Sequence, residues 1–168
     1  MALTMYSASV PIFVRQLGQM LSWLDKAQAH AEARKFDTAN YLSLRLAPDM
    51  LPLTVQIQIC TDGAKGCVAR LAGLAVPKWE DNEATLDELR ARIRKTIDYA
   101  QSVPAAQIDG SEGREIVLAL RQGELRFSGE AYLKHFVLPN FFFHATTTYA
   151  LLRHAGVELG KKDFLGPN

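Results

Sequence analysis

Three side chains near the C-terminal end have the types and spacing to do chemistry together: Asn140, His144 and Thr147. At 100° per residue they fall on one helical stripe with Leu133, Val137 and Leu151, all within about 80° of one another. If the leucines and the valine face a core, the amide, imidazole and hydroxyl are drawn inward with them. Buried polar groups must be hydrogen-bonded or cost roughly 1–3 kcal/mol each, so a neighbouring helix has to supply partners. The best supply is the polar line Gln58, Asp62 and Lys65, flanked by Thr54 and Thr61. Such a cluster is either a hydrogen-bond network that sets helix register or the lining of a pocket for a small polar ligand. An imidazole near a carboxylate can act as a general base or bind a metal. His144 is therefore the candidate base or metal ligand, and Asn140, Gln58, Asp62, Lys65 and Thr147 are the candidate ligand-binding residues.

Other reactive residue types fit structural roles. His154 lies ten residues beyond His144, about 15 Å along the same helix, too far to share a metal. His30 and His135 fall on faces expected at the surface. Cys60 and Cys67 stand seven apart in one helix, about 10 Å along its axis and out of disulfide reach, and read as buried thiols. The run Arg90 to Lys95 alternates with Ala91 and Ile93 and reads as the solvated face of a helix. Phe141, Phe142 and Phe143 suggest core and interface, and an exposed outward member would favour a homodimer. No Gly-rich phosphate loop, nucleophile elbow or paired-cysteine motif occurs.

The elements that must position these residues follow from periodicity. Phe13, Leu17, Met20, Leu21 and Leu24 mark a first amphipathic helix, capped by Ser9, with Pro11 in its first turn, and running to about Arg34. Residues 36–49 read as a connection with room for one helical turn. A second helix is expected from near Asp49, with Pro52 in its first turn and Leu53, Ile57, Cys60, Ala64, Val68 and Leu71 on its buried face. Gly63 and Gly66 weaken it by about 1 kcal/mol each against alanine unless something packs closely there. Residues 73–82 read as a loop crossing the bundle. Thr85 and Glu88 form a capping box for a third helix with Leu86, Leu89, Ile93, Ile97 and Ala100 inward.

A β-hairpin is expected from Glu115 to Phe127, turning at Gln122-Gly123. That register sets Leu120 opposite Leu125, Leu118 opposite Phe127, and Arg121 opposite Glu124. Ser128 can cap the last helix, which should kink or break briefly at Pro139 and stop at Gly156 through a left-handed cap. Phe164 and Leu165 of the tail should dock on the bundle. The whole, residues 1–168, reads as one all-α four-helix bundle domain with a small β-hairpin before the last helix.

Totals narrow the function classes. A net charge of +1 gives no electrostatic reason to expect nucleic acid or an anionic membrane. The 48% hydrophobic and 22% charged residues are those of a globular chain. No apolar run reaches the roughly 18–20 residues needed to span a bilayer, and the N-terminus has no signal-peptide pattern, so a cytoplasmic setting is expected.

The stretches LPNFFFHATTTYALLRHAGVELGKKDFLG, RLAPDMLPLTVQIQICTDGAKG and MYSASVPIFVRQL closely resemble a bacterial family of unknown function within the DinB/YfiT-like metalloenzyme superfamily. The resemblance implies a DinB-like bundle and, in the superfamily, three histidines on a divalent metal: one on the second helix and two on the fourth as H-x-x-x-H. His144 matches the second of that pair, since Leu152, Arg153 and Gly156 then follow at the expected distances. Its partner position holds Asn140, and the second-helix ligand is replaced by Gln58. Zinc or nickel favours imidazole and thiolate over amide oxygen, so the implied metal site is degenerate. Three functions follow as expectations: a binder of a small polar ligand beside His144, a divergent metal-dependent enzyme such as a thiol transferase, or a non-catalytic homodimeric interaction protein.

Overall fold

The computed structural model describes residues 3–120 and 123–167. Four long helices share one apolar core: α1 (Val10–Arg34), α3 (Leu53–Leu71), α4 (Leu86–Ser102) and α7 (Leu138–His154). Around the bundle α1 packs on α4, α4 on α3, α3 on α7, and α7 back on α1. Short elements join them: α2 (Ala39–Leu42), α5 (Ala105–Ile108), α6 (Gly129–Ala131) and α8 (Lys161–Leu165). A two-stranded antiparallel hairpin, β1 (Glu115–Leu120) and β2 (Gly123–Ser128), precedes α6. The chain is thus mainly helical with one small hairpin before its last long helix.

The helices begin and end where their residue types dictate, with two shifts from expectation. Thr85 Oγ1 accepts the Glu88 N–H at 3.2 Å and caps α4 as predicted. Ser9 sits at the N-terminal edge of α1, but its hydroxyl donates to the Met5 carbonyl at 2.6 Å and does not cap. The second long helix starts at Leu53, not near Asp49. Pro52 is extended there (φ −73°, ψ 165°), and a residue preceding proline is disfavoured in the α region, so the helix cannot begin before it.

The last helix is interrupted next to Pro139. Residues Tyr132–Val137 form a π-helical turn between α6 and α7. Proline gives no N–H to the carbonyl one turn back and its ring crowds that carbonyl; widening the preceding turn relieves both. The helix then closes at Gly156, whose φ of 96° belongs to the left-handed region. Phe164 stacks on Trp23 with ring centroids 5.5 Å apart, whereas Leu165 stays largely exposed and does not dock.

The hairpin register differs from the predicted one by two residues. Leu118 pairs with Leu125, Ile116 with Phe127, and Leu120 with Gly123. The expected pairing of Arg121 with Glu124 lies outside the described residues. Side-chain alternation has a period of two, so a two-residue shift keeps every side chain on its face and the apolar pattern cannot tell the registers apart.

Candidate functional site

Antiparallel packing of α3 on α7 brings Gln56 to His144. The imidazole is buried, at 7% exposure, and its Nδ1 lies 2.7 Å from Gln56 Oε1. Gln56 Nε2 donates to the Leu51 carbonyl at 2.9 Å, which turns the amide so that its oxygen faces the ring. A carbonyl oxygen only accepts, so Nδ1 carries the hydrogen and Nε2 keeps a lone pair. Nε2 makes no hydrogen bond to the described residues, and it is not among the side-chain atoms sealed from solvent without a partner, which are Gln16 Nε2 and Ser111 Oγ. Burial holds the imidazole pKa below its ordinary 6.5, favouring the neutral ring.

The rest of the predicted cluster does not converge on His144. Thr147 is buried one turn on, but its hydroxyl donates to the Phe143 carbonyl of its own helix at 2.8 Å. Asn140 is half-buried one turn earlier and faces Gly63 of α3. Gln58, Asp62 and Lys65 point to the other flank of α3, toward α4. The expected second-helix partner of His144 is therefore Gln56, not Gln58. Helical spacing could have found it: Gln56 stands three residues after Leu53 and four before Cys60, on the buried stripe itself.

Toward α4 the polar residues form a second, charged network. Arg92 is buried and donates to Thr61 Oγ1 (2.8 Å), Asp62 Oδ1 (2.9 Å), Glu83 Oε1 (2.9 Å) and the Glu80 carbonyl (3.0 Å), and its Nη2 also pairs with Asp81 at 2.8 Å. Lys65, 3% exposed, pairs with Asp62 at 2.7 Å. Gln58 Nε2 donates to Glu83 Oε2 at 2.8 Å. Burial alone would raise the Glu83 pKa, but the hydrogen bonds from Gln58 and Arg92 outweigh it and hold the carboxyl below its ordinary 4.5.

This network straps irregular residues 74–84 across α3 and α4. Trp79 completes the strap, with Lys65 Nζ and Lys95 Nζ 4.3 and 4.6 Å from its ring centroid. The run Arg90–Lys95 is accordingly solvated only in part: Arg94 and Lys95 are exposed as expected. Arg90 and Arg92 are both buried, the former donating to Asp25, Asp87 and the Leu24 carbonyl.

One further expectation is corrected. His30 is half-buried, with Nδ1 2.6 Å from the Tyr41 hydroxyl and its ring against Phe36, because α2 folds back onto α1. His135 is exposed as expected. Phe141 is in the core, and Phe143, the outward member of the triple, is 56% exposed with its ring 5.2 Å from that of His144. Cys60 and Cys67 are free and buried, which raises both thiol pKa values.

The donor set does not fit the transition metal implied by the superfamily. His144 has an amide, Gln56, at Nδ1 and the amide Asn140 one turn earlier, while Asp62 is engaged by two cations. Among the described residues no group of three or more His, Cys, Asp or Glu side chains could hold a metal ion. One imidazole with amide oxygens is a poor zinc or nickel site. Also among the described residues, no helix is long and apolar enough to cross a membrane.

Comparison with known proteins gives this site a family. The model of a domain of unknown function, DUF1993, matches residues 5–165. No curated protein matches. Among solved structures, the crystal structure of a DinB family member protein from Shewanella denitrificans at 1.83 Å is 39% identical, covering 97% of this chain and 92% of that one, with a TM-score of 0.88. The chain belongs to the DUF1993 family and has a DinB-like fold.

Proposed function

We propose that this DUF1993 family member binds a small polar molecule at His144, whose Nε2 accepts a hydrogen bond or a proton from it. The observation behind this reading is the imidazole tautomer: Gln56 occupies Nδ1, and Nε2 is left with a lone pair and no protein partner. A group held this way accepts from an O–H, S–H or N–H, so the ligand class is an alcohol, thiol or amide. Burial lowers the pKa and so keeps the acceptor available at neutral pH. Asn140 and Thr147 flank it on the same helix. Gln58, Asp62 and Lys65 act at one remove, by holding the strap of residues 74–84 against the bundle. Two free buried thiols suit a cytoplasmic setting.

Ligand-observed NMR with a panel of small alcohols, thiols and amides tests the reading. The expected result is at least one saturable binder that is lost in His144→Ala and kept in Lys95→Ala. Binders that ignore His144→Ala, or a panel with none, would contradict it. Elemental analysis of the same two proteins addresses the metalloenzyme alternative. The donor set predicts no stoichiometric zinc or nickel, and one equivalent lost in His144→Ala would favour the enzyme instead. The exposed Phe143 ring beside His144 supports self-association of this face as a homodimer. Sedimentation should then show a dimer that Phe143→Ser converts to monomer.

A further inference from the structure

A separate cleft, between α3, the hairpin and the π-helical turn, is lined by hydrogen-bond donors that have hydrogens left to give. It encloses about 210 Å³, below the roughly 300–1,000 Å³ of sites for drug-sized molecules. Leu118, Phe136 and Val137 supply apolar wall, and Arg70, Tyr132 and Asn140 supply polar groups.

Arg70 is the unusual member. It is half-buried, yet it forms no ion pair with the described residues, whereas the buried Arg90 and Arg92 each hold two or more carboxylates. Its Nη1 donates to the Tyr132 hydroxyl at 3.0 Å, and the guanidinium lies over the Tyr132 ring, 5.9 Å from the centroid. Gly66 makes room for it, since a Cβ there would stand 2.5 Å from Nη1. The glycine that weakens α3 therefore seats a guanidinium. Because Tyr132 accepts from Arg70, its own O–H remains to be given away. Burial pushes the Tyr132 pKa up to about 12, so the proton stays on. Asn140 has no hydrogen-bond partner among the described residues, and its Nδ2 lies 3.9 Å from where a Gly63 Cβ would stand.

A cation with no counter-ion, a spare hydroxyl hydrogen and an amide together call for an acceptor carrying negative charge. The planar guanidinium fork matches the two oxygens of a carboxylate. The apolar walls suit a hydrocarbon end and disfavour a tetrahedral dianion such as sulfate, which would desolvate without compensation. We propose that this cleft binds a short-chain carboxylate, its oxygens on Arg70 and Tyr132 and its carbon chain against Leu118, Phe136 and Val137. The proposal does not rest on the role of His144.

Titration of the full chain with sodium butyrate at constant ionic strength, followed through the Arg70 Nε–H signal by NMR, tests it. The expected result is a saturable shift with a Kd on the order of millimolar. Butanol and sulfate should give no saturable shift. Gly66→Ala keeps Arg70 and favours the helix while displacing the guanidinium, and should weaken binding about tenfold; Tyr132→Phe should weaken it about threefold. A non-saturating response to butyrate, equal binding of sulfate, or wild-type affinity in Gly66→Ala would overturn the proposal.

Discussion

Two buried polar regions sit on opposite flanks of α3, and they are satisfied to different degrees. Toward α4, Arg92 and Lys65 are surrounded by Asp62, Asp81, Glu83, Thr61 and a backbone carbonyl, so each charge has its counterpart. Toward α7, a single neutral pair, His144 and Gln56, completes one side of the imidazole and leaves the other open. A saturated network holds structure together and has little left to offer a ligand. An oriented imidazole with a vacant lone pair is the reverse: it adds little to the fold and has capacity for chemistry. Burial alone therefore does not separate structural from functional polar groups; the tally of donors against acceptors does.

Substitutions that break each region should show the difference. The largest effect is expected for Arg92→Met, which strips four side chains and the Glu80 carbonyl of their common donor. Urea unfolding should show a loss of about 3 kcal/mol, in the range for removing one partner of a buried ion pair. Gln56→Leu should cost less, about 1–2 kcal/mol, the penalty of leaving one buried N–H unpaired. It should also release the His144 tautomer, which Arg92→Met should leave alone.

The smallest effect separates the regions by pH. Glu83 has a depressed carboxyl pKa, so its contribution is complete above 4.5 and is lost as the pH falls through the lower folded value. His144 also has a folded pKa below its ordinary 6.5, so the folded state loses stability as the pH falls from 6.5 toward that value, because the unfolded chain takes up the proton first. Unfolding midpoints should therefore drop in two stages. The upper stage should vanish in His144→Phe, and the lower one should shrink in Arg92→Met.

Much of the bundle was legible in periodicity and punctuation. The apolar stripes, the Thr85 cap, the Gly156 stop and the break beside Pro139 each rest on one local physical cause, and the structure has them in place. The inward turn of His144 and Thr147 was legible for the same reason. Partner choice was not. Gln56 and Gln58 lie two residues apart on α3, about 200° around the axis, and only the packing of α7 against one flank and α4 against the other decides which meets the imidazole. Arg90 and Arg92 misled because arginine is ordinarily solvated; apart from Asp87 beside Arg90, their carboxylate partners come from α1, α3 and the 74–84 strap, outside the helix that carries them. The hairpin register failed for the period-two reason already given.

The proposed binding requires a neutral His144 ring with its hydrogen on Nδ1 and an open Nε2. Long-range ¹H–¹⁵N correlation of the ring nitrogens across a pH titration measures this directly. The expected result is the Nδ1–H tautomer at neutral pH and a titration displaced below 6.5. An Nε2–H tautomer, or a titration at or above 6.5, would contradict it.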